Sequence, residues 1–156
     1  MMRSLTVVVK VVMVTSLSLL MAASPAAAAN SPVGTWVRKA EAGKPVMTLT
    51  IEEWSPGRAK LTWRIAEAKM VLTVESALDG SFAPLLVNGK PSGETMSIKI
   101  VDKRHTVGTV KMNGKAFGTS KSTISEDFNT MTVENDYSES IGGGPVGKST
   151  EIWIRK

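Results

Sequence analysis

Between Gly34 and Arg155 apolar and polar residues alternate with a period of two, broken by turn residues at intervals of roughly 8–12 positions. Met47, Leu49 and Ile51 interleave with Thr48, Thr50 and Glu52. Leu61, Trp63 and Ile65 interleave with Thr62 and Arg64, and Met96, Ile98 and Ile100 with Ser97 and Lys99. Successive side chains of a strand point to opposite faces, so runs of this kind make strands with one dry and one wet face. Between them lie Gly43-Lys44-Pro45, Ser55-Pro56-Gly57, Asp79-Gly80, Asn88-Gly89, Asn113-Gly114 and Glu126-Asp127. An Asn-Gly pair between alternating runs is a strong hairpin signal, because both central residues of a type I′ turn need positive φ. The first strand is expected over Gly34–Ala40, a short one over Pro84–Val87, and longer ones over Arg104–Met112, Ala116–Ser125, Phe128–Glu134 and Lys148–Arg155. Around Ala66–Met70 there is room for one helical turn, and the β-branched residues that follow oppose its extension. The pattern predicts an all-β fold: an antiparallel up-and-down β-barrel of about eight to nine strands, with a two-sheet sandwich as the alternative. Closure removes edge strands that would template aggregation.

Residues 1–29 follow a different rule. Arg3 and Lys10 precede an apolar run from Val11 to Ala23, and Ser24-Pro25 leads into small residues with Ala27 and Ala29 at the A-x-A positions. This is the layout of a cleavable secretory signal, expected to be cut after Ala29. Its apolar run is well short of the roughly 20 residues that span a bilayer. The division is therefore 1–29 signal peptide and 30–156 a single barrel domain, exported to the periplasm or secreted, with no transmembrane segment left after cleavage. No cysteine stands near the junction for lipid attachment.

Composition narrows the function classes. Of the 19 Lys and Arg residues, Arg3 and Lys10 leave with the leader, so 17 face 14 acidic residues and the mature net charge is +3. The basic residues are dispersed, which argues against nucleic acid as a partner. With no cysteine there is no disulfide, thiol chemistry or zinc–cysteine site. The single histidine, His105, has no acid or nucleophile that the sequence places beside it, and no Gly-x-Ser-x-Gly elbow occurs. No catalytic residues, cofactor or metal are therefore expected. The acidic residues Glu134, Asp136 and Glu139 lack the ordered spacing of a calcium loop. Glu52 and Glu53 are adjacent and so should fall on opposite faces. Gly142–Gly144 reads as a loop, without the sequence of a phosphate cradle.

The interior face is expected to carry Met47, Leu49, Ile51, Leu61, Trp63, Ile65, Leu72, Val74, Met96, Ile98, Ile100, Met131 and Val133. Trp54, just before Ser-Pro-Gly, suits either a barrel mouth or a turn anchor. In the last strand Trp153 shares a face with Glu151 and Arg155, and Ile152 and Ile154 take the other, so one apolar set must lie outside.

Gly34-Thr35-Trp36, opening the first strand, resembles the start of lipocalins and related calycin barrels. The resemblance implies that Trp36 plugs one end of the barrel beneath a basic residue from the last strand, here Arg155. The same start, with Asn113-Gly114-Lys115, Gly118-Thr119-Ser120 and Thr130-Met131-Thr132-Val133, is similar to small exported bacterial lipocalin-like proteins of unknown activity. It implies a barrel that binds a small hydrophobic molecule, for which Met47, Leu49, Ile51, Leu61, Trp63, Ile65, Leu72, Met96 and Ile98 are the candidate contacts. The alternative is an interaction or inhibitor module that meets an envelope protein through its loops and surface, without ligand. Alternation leaves open whether the middle is filled or hollow.

Overall fold

The computed structural model describes residues 30–44, 46–140 and 146–156. Ten strands occur among them: β1 (Gly34–Arg38), β2 (Met47–Ser55), β3 (Arg58–Ile65), β4 (Met70–Ser76), β5 (Asp79–Val87), β6 (Lys90–Ile100), β7 (His105–Met112), β8 (Lys115–Ile124), β9 (Thr130–Tyr137) and β10 (Gly147–Arg155). Each pairs antiparallel with its sequence neighbours, and β1 also pairs with β10, which closes the barrel. This is the expected up-and-down barrel, with ten strands in place of eight or nine. The proposed leader, and the loop at Gly142–Gly144, lie outside the described residues.

The turns show where sequence signals and backbone agree. Asn88-Gly89 and Asn113-Gly114 both have positive φ at both positions, 50° and 77°, and 49° and 82°, as two-residue type I′ hairpins require. Two other turns sit elsewhere than expected. Asp79-Gly80 begins β5 rather than closing β4; the chain turns one step earlier, at Leu78, with φ 62°. The Ser76 hydroxyl accepts the Leu78 N–H at 3.1 Å and so fixes this bend, while the leucine side chain is buried. Phe128 is a turn residue, not the start of a strand: it has φ 56°, and its ring is buried at the barrel end. Asp127 organises that turn, accepting the Ser125 hydroxyl at 2.6 Å and the Asn129 N–H at 3.1 Å.

A β-bulge between Ile51 and Glu53 interrupts the β2–β3 ladder. It advances the phase by one residue. Glu52 and Glu53 consequently both reach outer-face bases of β3, Lys60 at 2.6 Å and Arg58 at 2.9 Å, instead of dividing between faces. The same step turns Trp54 inward.

One end of the barrel is packed solid. Trp36 is fully buried and belongs to the same core cluster as Ile51, Leu61, Val74, Phe128 and Trp153. The Arg155 guanidinium lies 4.7 Å from the Trp36 ring centroid, and Trp36 Nε1 donates to the Pro32 carbonyl at 2.9 Å. Arg155 also donates to the carbonyls of Phe128 at 2.7 Å, Val33 at 2.8 Å and Ser31. One side chain thus ties the segment before β1 to the turn before β9. The β4–β5 seam has the fewest register pairs, Leu72–Val87 and Thr73–Leu86, and β5 carries two irregularities against β6.

Candidate functional site

The interior is neither filled nor wide open: it holds a cavity of about 160 Å³. The wall has two chemically different halves. Strands β2 to β6 contribute Met47, Leu49, Trp54, Leu61, Trp63, Leu72, Leu85, Met96 and Ile98. Strands β7 to β10, with the ends of the segments beside them, contribute Arg104, Thr106, Gly108, Ser120, Ser122, Asn135, Tyr137, Glu151 and Arg38 of β1, interspersed with Val110, Ile124, Met131, Val133 and Trp153.

Strand register explains the division. Leu49, Trp63 and Leu72 stand directly opposite one another across β2, β3 and β4. On the far side Gly108, Ser120, Asn135 and Ser149 form one continuous row across β7, β8, β9 and β10, and Thr106, Ser122, Val133 and Glu151 form the next. Along these rows the inward positions of β2 to β4 carry apolar residues and those of β7 to β10 carry mostly polar ones.

Two glycines make room for this polar wall. A Cβ on Gly108 would stand 2.6 Å from the Ser120 hydroxyl, and one on Gly118 would stand 1.8 Å from Tyr137 Cδ1. The Tyr137 ring therefore lies against the bare backbone of its cross-strand partner Gly118. Burial, and after it the negative charge of Glu151, push the Tyr137 phenol up to about 12, and its hydrogen bond with Ser120 opposes them.

The charged members are paired. Arg38 donates to Glu151 Oε1 at 2.7 Å with both side chains nearly enclosed, and Trp153 Nε1 donates to Glu151 Oε2 at 3.2 Å. Removing two charges from water is costly, so a buried pair persists when its hydrogen bonds are met on both partners. Arg104 is more open, with its side chain 35% exposed and Glu126 at 3.8 Å. Asn135 is 8% exposed, and its amide makes no side-chain hydrogen bond among the described residues. Beside it, the Ser149 hydroxyl is buried without a partner among the described residues.

Of the residues expected to touch a ligand, Met47, Leu49, Leu61, Trp63, Leu72, Met96 and Ile98 line the cavity. Ile51 and Ile65 do not: each is 2% exposed and buried in packing away from the cavity wall. Alternation assigns a residue to the inside without saying how far along the axis the packing gives way to space. Trp36 and Arg155 meet at the packed end as described. Trp153 faces in with Glu151, which leaves Ile154 outside and 43% exposed. His105 opens β7, half-buried and outside the cavity lining, with Nδ1 2.7 Å from Asp102. Backbone donation from Arg104 and the contact with His105 hold the Asp102 carboxyl below its usual range. Glu134 and Asp136 flank inward Asn135 and are exposed on the outer face of β9, and no group of three His, Cys, Asp or Glu able to hold a metal occurs among the described residues. Nor is any helix there long and apolar enough to cross a membrane.

Reading along the strands does not announce the polar wall. Its serines and threonines read as water-facing positions, yet Ser120 and Ser122 share the phase of buried Ile124, and that shared phase is the signal that identifies them.

No protein-family model matches the sequence, and neither does any curated protein. Among solved structures, the crystal structure of a point mutant of the fluorescent protein UnaG is similar, with a TM-score of 0.60 and 14% sequence identity over 80% of this chain and 95% of that one. At that identity the likeness concerns the fold alone, and it bears out the closed antiparallel β-barrel.

Proposed function

We propose that this chain is an exported barrel that holds one small, largely apolar molecule in its interior. The observation that carries the reading is the cavity itself: a space of about 160 Å³ walled on one side by Met47, Leu49, Leu61, Trp63, Leu72 and Met96. An apolar cavity of roughly 150 Å³ inside a protein admits a molecule of benzene's size, whereas drug-sized ligands occupy roughly 300 Å³ or more. The occupant is accordingly a single-ring or short-chain compound, unless side chains move apart for it. Methionines such as Met47, Met96 and Met131 adjust their shape at little cost and suit such a wall. Export rests on the leader-like layout of residues 1–29.

Native mass spectrometry of the full chain, made in its source cell and recovered without organic solvent, tests both parts. The expected species begins at Asn30 and carries a stoichiometric extra mass that solvent releases. A protein beginning at Met1 would remove the export reading, and a bare polypeptide mass would count against a resident ligand.

One observation favours a second reading, docking of an envelope protein. Val37 and Ile154 are paired on the outer face of β1 and β10, and Ile154 is substantially exposed. Outward apolar residues of this kind are contact material. If they serve that purpose, Ile154→Lys abolishes capture of the partner while leaving the interior unchanged.

A further inference from the structure

We propose that the cavity selects an uncharged, hydrogen-bonding head group, an alcohol, phenol or amide, over a carboxylate, and seats it on Asn135 and Ser120. The inference rests on the ligand-binding reading above and specifies the chemistry of the occupant.

Three features of the polar wall support it. The first is charge. Arg38 lies on the wall, but its guanidinium is 2.7 Å from Glu151, so the enclosed pair adds no net charge to attract an anion. Both Glu151 oxygens are already engaged, one by Arg38 and one by Trp153. An incoming carboxylate would have to lose its water beside an existing carboxylate, which is unfavourable without a dedicated cation; the other cation of the wall, Arg104, is 35% exposed to water and lies 3.8 Å from Glu126. The field of Glu151 already reaches Tyr137, whose phenol it helps keep protonated.

The second is unmet hydrogen-bonding capacity. Asn135 is more than nine-tenths buried, lines the cavity, and leaves its amide unused among the described residues. An amide offers two donors and an acceptor, which matches a neutral head that both donates and accepts. Buried polar groups normally find partners, and the cavity is the space in which Asn135 can find one.

The third is placement. Ser120 and Asn135 are register partners on β8 and β9, and Gly108 on the next strand has no side chain to cover them. Across the cavity stand Leu49, Trp63 and Leu72, so a molecule bridging the walls presents one polar end and one apolar body.

The test is calorimetry on the processed chain at neutral pH with three probes of one body: p-cresol, toluene and 4-methylbenzoate. The proposal expects p-cresol to bind about tenfold or more tighter than either of the others, the worth of one well-made hydrogen bond. Asn135→Leu should bring p-cresol down to the affinity of toluene and leave toluene unaltered. Ser120→Ala, a milder change, should weaken p-cresol alone should the Asn135 variant not fold. Glu151→Gln, which leaves Arg38 without its counter-charge, should raise the affinity for 4-methylbenzoate. Equal binding of p-cresol and toluene overturns the head-group assignment and leaves the cavity reading standing. Tight 4-methylbenzoate binding that Arg104→Gln removes overturns it too, placing the head on Arg104. Failure of all three probes overturns both readings.

Discussion

The Arg38 guanidinium and the Glu151 carboxylate meet at 2.7 Å inside the barrel, diagonally across the β1–β10 seam that closes it. Trp153, the register partner of Arg38, donates to the second oxygen of the same carboxylate. The pair therefore belongs both to the closure of the sheet and to the wall of the cavity. Glu151→Leu leaves a buried cation without compensation, and a loss of roughly 3–5 kcal/mol is expected in urea unfolding. The double variant Arg38→Met/Glu151→Leu should be clearly more stable than the single one, because no charge then remains unpaired. Additive losses would show that the two residues act separately.

Tyr137 is the only tyrosine in the chain, so its ionisation can be followed by tyrosinate absorbance alone. The folded phenol is expected to titrate near 12 instead of 10, chiefly because it is buried. A pKa raised in the folded state contributes stability that is complete below about pH 10 and is lost as the pH rises through 12. Titration of the folded protein at the ordinary value would mean that the ring is in water and that the polar wall is not enclosed.

Gly118 has no room for a side chain beneath the Tyr137 ring. Gly118→Ala should displace that ring and destabilise the barrel by about 1–3 kcal/mol, the usual cost of overpacking. Adding Tyr137→Leu should recover part of the loss. Thermal unfolding of the two single variants and the double variant measures the coupling, and strict additivity would contradict the contact.

Much of this was legible in the sequence, and the reason is geometric. A period of two is a direct consequence of strand structure, so the alternation around Leu49, Trp63 and Ile98 locates the inner face without any knowledge of strand pairing. Asn113-Gly114 announces its turn because its backbone must be left-handed. The bulge at Ile51–Glu53 left no equivalent signal: it is settled by the fit between β2 and β3, and it alone decides that Trp54 faces in. Nor can the polar row Ser120–Asn135–Ser149 be seen along one strand, because it exists only across three. Ile51 and Ile65 show the complementary limit, since alternation does not distinguish a packed inner residue from a cavity-lining one.

The β4–β5 seam has few register pairs, and local opening follows where ladder bonds and packing are sparse. Hydrogen exchange read by mass spectrometry should find β4 and β5 exchanging before β8 and β9, whose ladder is continuous from Gly118 to Ile124. Uniform protection around the barrel would mean that the seam is no weaker than its neighbours.

The central claim, that the interior takes up a small molecule, is tested most directly by methionine-methyl NMR during titration with p-cresol. Met47, Met96 and Met131 line the cavity, whereas Met70 and Met112 do not. Saturable shifts confined to Met47, Met96 and Met131 are expected. No shift at any of them up to millimolar probe, or equal shifts at Met70 and Met112, would contradict the claim and leave the barrel's outer surface as its working face.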